Sequence, residues 1–267
     1  NTEIDTGSTP ASQIIEFTSS EGTKFEVLKS QFIWSKVSLN RGLFPTAGQS
    51  QAFALQLAIP GSSITYAKAT YRHKYFKPLF GGKIIFSVRG EIGILEPYGD
   101  TNIAPFFEHF YAGGISSVRG FKQNTLGPRA TPSLYYVGSD GQPILDEEGN
   151  PVANPYAYYD NDRSIGGAYL VEAGFDLIFK LPFIEDQRSM RTSLFVDIGN
   201  VFSKDCGDKS ININCSELDL GELRYSIGVG GTWITQLGPM SVAISKPTNS
   251  GPLDETEAFQ FEIGTQF

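Results

Sequence analysis

Apolar and polar side chains alternate strictly along the end of the chain. Phe259, Phe261, Ile263 and Phe267 share one parity with Thr265, and the positions between them are polar or small. A period of two places the two sets on opposite faces of a β-strand. A strand of a membrane barrel needs this pattern, because lipid covers one face and a wet interior the other. The pattern therefore predicts the last strand of an antiparallel transmembrane β-barrel.

The same alternation predicts eight further strands, which makes nine in all. In the strand 169–179, for example, Phe175 faces outward and Asp176 inward, and Asp197 takes the inward parity in the next strand. The eight strands are 32–39, 53–59, 64–76, 84–94, 169–179, 192–198, 223–229 and 240–244. The alternation is irregular in the first and third of them, so their register stays open.

The predicted connections differ in length between the two ends of the strands. Short turns rich in Gly and Pro join one end, and long loops join the other, with a short exception at 59–63. This sidedness is typical of outer-membrane barrels. A loop as long as 96–166 is usually functional or disordered. The short turns are 42–46, 77–82, 181–187 and 236–239, and the long loops are 96–166, 203–221 and 246–257.

The start of the chain is polar and carries no signal peptide. We therefore expect a mature fragment or a piece of a longer protein. Residues 10–20 allow a short helix capped by Ser8 or Thr9, and an irregular loop is the alternative.

The composition suits one large all-β domain, since the 267 residues include 29 Gly and 15 Pro and only 19% are charged. No apolar run approaches the roughly 20 residues of a membrane-spanning helix. A net charge of −8 without a basic stripe argues against binding of nucleic acid. The alternative is that the charge only keeps the protein soluble. The two histidines, His73 and His109, form no recognisable constellation with a nucleophile. We expect no catalytic residue, no metal and no cofactor.

The two cysteines, Cys206 and Cys215, lie in one polar stretch of a predicted long loop. Free thiols in a surface loop would be a liability, whereas a bridge across the residues between them is sterically easy. A disulfide implies an oxidising compartment. A metal site is the weaker alternative, because no His lies near. The sequence therefore predicts a bond between the two cysteines.

The longest loop carries the motif Val118-Arg119-Gly120-Phe121, between Phe-Tyr-Ala-Gly-Gly at 110–114 and Asn-Thr-Leu-Gly-Pro at 124–128. Four other segments belong with it. They are Asn-Arg-Gly-Leu-Phe-Pro-Thr at 40–46, Ile-Pro-Gly-Ser at 59–62, Val-Asp-Ile-Gly-Asn-Val-Phe at 196–202 and Leu-Gly-Pro at 237–239. This ordered set, spread over most of the chain, closely resembles the BamA family of outer-membrane β-barrel assembly factors.

The resemblance implies a barrel of sixteen strands, preceded in the family by periplasmic POTRA domains. Residues 1–267 would then be the C-terminal part of the barrel, about nine strands long, without the first strands or the POTRA domains. In the family, the first and last strands form a seam that opens laterally. Here the stretch from Phe259 to Phe267 would supply the last-strand half. Thr265 stands where the family favours an aromatic residue, which weakens the tail as a targeting signal.

The resemblance also gives the loop motif a role. In the family, the Arg of this loop enters the lumen and pairs with acidic residues of the inner wall, which map onto Asp176 and Asp197. Arg suits this task because its fork of donors bridges two carboxylates. Gly120 would let the backbone pass close to the wall, and Phe121 would pack in the loop's own core. The alternative is that Arg119 is an ordinary exposed cation.

The function implied by the resemblance is that of a non-enzymatic insertase in the bacterial outer membrane. Its partners would be outer-membrane lipids, unfolded outer-membrane proteins and, in the full-length protein, accessory assembly lipoproteins. A transport pore, either a porin or a two-partner secretion transporter, is the alternative. The sequence does not decide whether the nine strands close into a barrel, remain an open sheet or pair with a second copy of the chain. An odd number disfavours simple antiparallel closure, and dropping one irregular strand would leave eight, a size that closes.

Overall fold

The described residues of the computed structural model are 1–4, 11–138, 142–155, 163–181, 189–206, 215–236 and 238–264. They form a large antiparallel sheet and a two-stranded ribbon of β1 (Thr2–Glu3) and β2 (Lys24–Phe25), with helix α1 (Ser12–Glu21) between the ribbon strands. The strands of the large sheet are β3 (Lys29–Val37), β4 (Gly48–Ala58), β5 (Tyr66–Leu79), β6 (Ile84–Pro97), β7 (Tyr169–Phe179), β8 (Met190–Phe202), β9 (Arg224–Thr235), β10 (Gly238–Pro247) and β11 (Phe259–Ile263).

Each strand of the large sheet pairs with its neighbours in sequence, so the order runs from β3 to β11 without a crossover. The nine predicted strands are confirmed. The alternative of eight strands is wrong, because both irregular segments pair along their length, β3 with β4 and β5 with β4 and β6. Among the described residues, β3 and β11 have one strand neighbour each and are the edges of the sheet.

The two faces of the sheet differ in exposure as the alternation predicts. On β7 and β8, Phe175, Leu177 and Leu194 are 37%, 43% and 50% exposed on the outer face. On the inner face, Phe195 and Asp197 are 2% and 0% exposed. Since side-chain parity alone sets the face of a strand residue, one sequence period accounts for both the apolar exterior and the polar interior.

Helix α1 packs over the end of the sheet from which the long loop emerges. Phe17 of α1 and Phe25 of β2 are each 1% exposed. Both pack against Phe107 of the long loop, Phe17 edge to face and Phe25 at a tilt, with ring centroids 6.1 Å apart in each pair. Burial of these rings explains why a segment with little helical amphipathicity folds as a helix. The helix, which is the only α-helix among the described residues, is not long and apolar enough to cross a membrane.

The helix predicted near the start of the chain is therefore present, and the irregular-loop alternative is wrong. Its predicted caps are wrong as well. The N-cap position is Ala11, which makes no side-chain capping bond, and Ser8 and Thr9 lie outside the described residues. Tertiary contacts fix the helix instead. The side chain of Gln13 pairs with Thr131 in the middle of the long loop, and the Glu21 carboxylate accepts a hydrogen bond from the backbone N–H of Asn102 near the start of the loop.

At the short-turn end, a contact crosses the inner side of the sheet. The guanidinium of Arg191 on β8 lies 5.2 Å from the ring centroid of Phe44, in the β3–β4 turn, and 5.3 Å from that of Phe76 on β5. It also donates to the carbonyl oxygen of Pro45. Cations stack favourably on aromatic faces. One side chain thus links β8 to the turn that precedes β4.

Candidate functional site

The Val118–Phe121 motif of the long loop lies against the inner face of the sheet. Val118 and Phe121 are both fully buried. Gly199 of β8 makes room for Val118, since a Cβ at Gly199 would lie 2.9 Å from its Cγ2. Gly120 adopts a positive φ of 93°, and a Cβ there would lie 3.1 Å from Ser245 Oγ on β10. A residue with a side chain would be strained at that position as well as crowded.

Arg119 binds the buried carboxylate of Asp197 through two nitrogens of its guanidinium. Nε donates to Oδ2 at 2.6 Å and Nη2 donates to Oδ1 at 2.8 Å. The backbone N–H of Arg119 adds a third bond to Oδ2 at 3.1 Å. This forked geometry is the strongest common arrangement of a guanidinium with a carboxylate. It compensates a carboxylate that has lost all contact with water.

Two neighbours complete the surroundings of Arg119. Its Nη2 lies 3.1 Å from Oδ1 of Asp176 on β7. Its guanidinium stacks on the Phe195 ring, with the central carbon 3.4 Å from the ring centroid. Asp176 and Phe195 are directly opposite each other in the β7–β8 register, so the sheet itself places the second acid beside the aromatic platform. The cation thus lies in a slot formed by two carboxylates and a ring.

A second arginine binds the same aspartate. Arg89 of β6 donates from Nη2 to Oδ1 of Asp197 at 2.6 Å. It also donates to the backbone oxygens of Ser116 and Ser117, just before the loop motif, at 2.8 and 2.7 Å. We call Arg89, Arg119, Asp176, Asp197 and Phe195 the anchor cluster. Its two cations and two carboxylates balance, and it connects the loop to three adjacent strands.

Comparison with known protein families identifies the chain. The model of the Omp85 superfamily domain matches residues 1–267. The chain belongs to the Omp85 superfamily. Among curated relatives, it is 33% identical over 248 residues to the outer membrane protein assembly factor BamA of Neisseria meningitidis serogroup B. It is 25% identical over 181 residues to the factor of the same name in Nitratidesulfovibrio vulgaris.

A solved structure shares the fold. The crystal structure of BamA from Haemophilus ducreyi lacking POTRA domains 1–3 matches with a TM-score of 0.76 at 28% identity. The match covers 94% of this chain and 47% of that one. The two curated matches cover 88% and 67% of this chain but only 28% and 17% of the relatives. The chain thus spans about a quarter of the length of the first relative. Like these relatives, this Omp85 member is an outer-membrane protein.

Tight packing in the anchor cluster depends on one glycine of β7. A Cβ at Gly174 would lie 2.3 Å from Nε of Arg89 and 2.8 Å from Oδ1 of Asp197. Gly174 is opposite Asp197 in the β7–β8 register and opposite Arg89 in the β6–β7 register. Because Gly174 has no side chain, the Arg89 guanidinium and the Asp197 carboxylate can contact each other above its backbone. Sequence reasoning placed Gly174 on the inner face but gave it no role.

A separate set of contacts secures the beginning of the long loop to β3 and β5. The Glu108 carboxylate accepts hydrogen bonds from Lys29 Nζ at 2.5 Å and from the Tyr66 hydroxyl at 2.9 Å. Lys68 Nζ lies 3.5 Å from its other oxygen and donates to the Glu108 backbone oxygen at 2.6 Å. Burial opposes ionisation of this carboxyl, but the bonds from Lys29 and Tyr66 and the two ammonium charges outweigh burial and lower its pKa.

The last strand lies at the edge of the sheet. Phe259, Phe261 and Ile263 are 61%, 49% and 51% exposed on the outer face. Phe267 lies outside the described residues. On the opposite face, Gln260 is 4% exposed and points toward the loop motif. Sequence reasoning did not single out Gln260.

The predicted disulfide is confirmed. Cys206 and Cys215 are bonded to each other, with their Cα atoms 5.6 Å apart, in the connection between β8 and β9. Of the histidines, His109 places Nδ1 2.9 Å from the Ile165 carbonyl oxygen, and burial lowers its pKa. Within the described ranges, no group of three His, Cys, Asp or Glu side chains is arranged to hold a metal ion.

Proposed function

We propose that this Omp85 member is the C-terminal part of the barrel domain of an outer-membrane β-barrel assembly factor. It would act without catalysis, by offering the edge of its last strand and a locally disturbed bilayer to unfolded outer-membrane proteins. Accessory lipoproteins would bind the full-length protein. Both curated relatives are outer membrane protein assembly factors, which supports the assembly role, and their greater length supports the view that this chain acts within a longer protein.

The observation that carries the proposal is the docking of the loop on the inner wall. Arg119 is 11% exposed, and it reaches two acids on neighbouring strands. In this proposal, the anchor cluster holds the loop inside the barrel, and Phe259, Phe261, Ile263 and Phe267 form one side of a seam. The docked loop keeps the inner wall in one shape, so that the edge of the last strand stays available.

A transport pore is the second candidate, because a cavity of about 1030 Å³ remains between the loop and the inner wall. Polar residues such as Arg72, Glu91 and Glu262 line it. However, the docked loop occupies the interior beside this cavity, and two arginines fix it there. A passive pore has no need of such an anchor. We therefore favour assembly over transport.

The test uses full-length protein reconstituted in lipid vesicles, with an unfolded small outer-membrane barrel protein as substrate. We expect the vesicles to fold the substrate faster than empty vesicles, as measured by heat-modifiable migration in gels. Vesicles with the Arg119→Ala variant should be slower, and those with Arg72→Gln, a change at an exposed lumenal ion pair, should match the wild type. Equal folding rates in wild-type and empty vesicles, together with free passage of small sugars, would favour the pore instead.

A further inference from the structure

The loop motif continues directly into backbone pairing with the segment that precedes β11. Phe121 forms an antiparallel bridge with Thr256. On either side of it, the Glu257 N–H donates to the Gly120 oxygen and the Lys122 N–H to the Glu255 oxygen, both at 2.8 Å. Residues 120–122 and 255–257 thus form a short two-stranded ribbon on the inner side. The ribbon ends two residues before β11 begins.

The side chain of Gln260 on β11 holds the same part of the loop. Its Oε1 accepts the Gly120 N–H at 3.0 Å, and its Nε2 donates to the Phe121 oxygen at 2.7 Å. Both bonds are buried. A primary amide offers one acceptor and one donor group side by side, so it can pair with a backbone N–H and a backbone C=O at the same time. Gln260 therefore holds two consecutive residues of the loop backbone.

Charged groups enclose this contact on the long-loop side. The Glu255 carboxylate lies 2.8 Å from Lys122 Nζ and 3.1 Å from Nη1 of Arg129. Arg129 is 2% exposed and also donates to the Leu253 oxygen at 2.6 Å. The hydrogen bonds from Lys122 and Arg129 lower the pKa of Glu255. Both partners belong to the long loop, so the segment before β11 is tied to the loop by charge as well as by backbone.

The last strand needs such support, because its own pairing is short. It pairs with β10 through the five positions Phe259–Ile263, whereas β9 and β10 pair along all of Gly238–Pro247. Its other edge has no strand partner among the described residues. Each backbone hydrogen bond adds only a small net stability, because the unfolded strand bonds to water instead. A short edge strand held on one side is therefore easily displaced.

We propose that the ribbon of 120–122 with 255–257, together with Gln260, is a clasp by which the docked loop positions the last strand. We infer that Gln260 is a positioning residue: when the loop is docked, it fixes β11 beside β10, and when the loop leaves, β11 is released. The inference rests on the proposed assembly function only for its consequence, which is control of the seam. The positioning itself can be measured without any assembly assay.

The experiment measures distances between spin labels in the full-length protein in vesicles. One label pair joins Phe259 on β11 to Val229 on β9, and a reference pair joins Leu194 on β8 to Val229; all three side chains are exposed on the outer face. Gln260→Leu keeps the size of the side chain and removes both hydrogen bonds to the loop, together with a longer one of 3.4 Å to the Glu257 carboxylate. Loss of two buried bonds should shift the balance between held and released strand by about ten- to a hundredfold.

We expect Gln260→Leu to broaden the distance distribution of the β11 pair and to leave the reference pair unchanged. Glu262→Gln, an inner-face change on the same strand, is the matched control and should broaden neither. Glu255→Gln weakens only the ion pairs of Glu255 with Lys122 and Arg129. It should broaden the distance distribution of the β11 pair less than Gln260→Leu does. It serves as the test should Gln260→Leu fail to fold.

Narrow, wild-type distances for the β11 pair in folded Gln260→Leu would overturn the clasp. So would equal broadening of both pairs, which would indicate a general loosening of the sheet. Selective broadening with undiminished substrate folding would support the clasp and count against the proposed role of the last strand in assembly. Selective broadening with slower substrate folding would support both.

Discussion

Removal of the Arg119 side chain should destabilise the docked loop by about 3 kcal/mol. Breaking a buried ion pair from one side costs about 3–5 kcal/mol, because the remaining charge stays buried without its partner. Arg119→Ala deletes two side-chain bonds to Asp197 and one to Asp176. Asp197 keeps Arg89 at 2.6 Å, so the lower end of that range applies. Arg119→Lys keeps the charge but loses the fork, and we expect it to recover only part of the loss.

A double-mutant cycle isolates this contribution from general damage. Arg119→Ala, Asp197→Asn and the double variant are compared by urea unfolding of the protein in vesicles, followed by protease protection of the long loop. Because the two groups touch, their effects should be far from additive, with a coupling of about 1–3 kcal/mol. Arg119→Glu combined with Asp197→Arg should not restore docking, since the new arginine would lie beside Arg89.

The exposed pair Arg72–Glu91 provides the control cycle. It joins β5 and β6 on the same inner face, with the Arg72 side chain 64% exposed. Exposed pairs contribute about 0.2–1 kcal/mol. A coupling between Arg119 and Asp197 no larger than that of the control pair, with the loop still protected from protease in Arg119→Ala, would refute the reasoning.

Three further predictions follow from the packing of the wall and the loop. Gly174→Ala should push the Arg89 side chain off its aspartate and lower stability, whereas Gly230→Ala, whose nearest neighbour would lie at 3.5 Å, should be tolerated; urea midpoints of the two variants decide. Glu108→Gln should cost about 1 kcal/mol at neutral pH, as expected for a partly exposed ion-pair set. Because the folded-state pKa of Glu108 is lowered from 4.5, this contribution is complete above pH 4.5 and is lost as the pH falls through the lowered pKa, so the variant and wild type should converge in acid. Phe175→Arg should destabilise by roughly 2–4 kcal/mol in bilayers, whereas Phe175→Leu should cost far less, since the cost of the arginine arises from a charge in contact with lipid at mid-strand; equal losses of the two variants in urea unfolding from vesicles would contradict an outward Phe175.

Strand positions and faces were predictable because they depend on one local property. Side chains on a strand alternate, so Phe175 and Asp176 must lie on opposite faces, whatever surrounds them. The resemblance to the family added what no period can supply, a link between Arg119 in a loop and acids on strands far away in the sequence. The helix near the start was predicted, but not its cap, because ring packing of Phe17 replaces a capping side chain there.

Arg89 and Gln260 show where sequence reasoning stops. Alternation places Arg89 on the inner face together with Ser87 and Glu91, and it gives no reason to single out Arg89 among them. The choice depends on a glycine opposite, on the neighbouring strand, and on loop carbonyls that have no periodicity. Gln260 is likewise one polar inward residue among several. Only the three-dimensional path of the loop brings the Gly120 and Phe121 backbone within its reach.

The contact of Arg191 with the β3–β4 turn has a mechanical consequence. It joins the two ends of the curved part of the sheet from β4 to β8, and a contact of fixed length between those ends sets the curvature of the strands between them. The register of paired strands prevents them from sliding past one another, and a side-chain contact between distant strands restricts how the sheet can curve as well. A strand that paired with β11 along the edge that has no strand neighbour in the described part of the chain would lie outside this curved part. The sheet can then gain strands on the β9–β11 side while its curvature from β4 to β8 is unchanged.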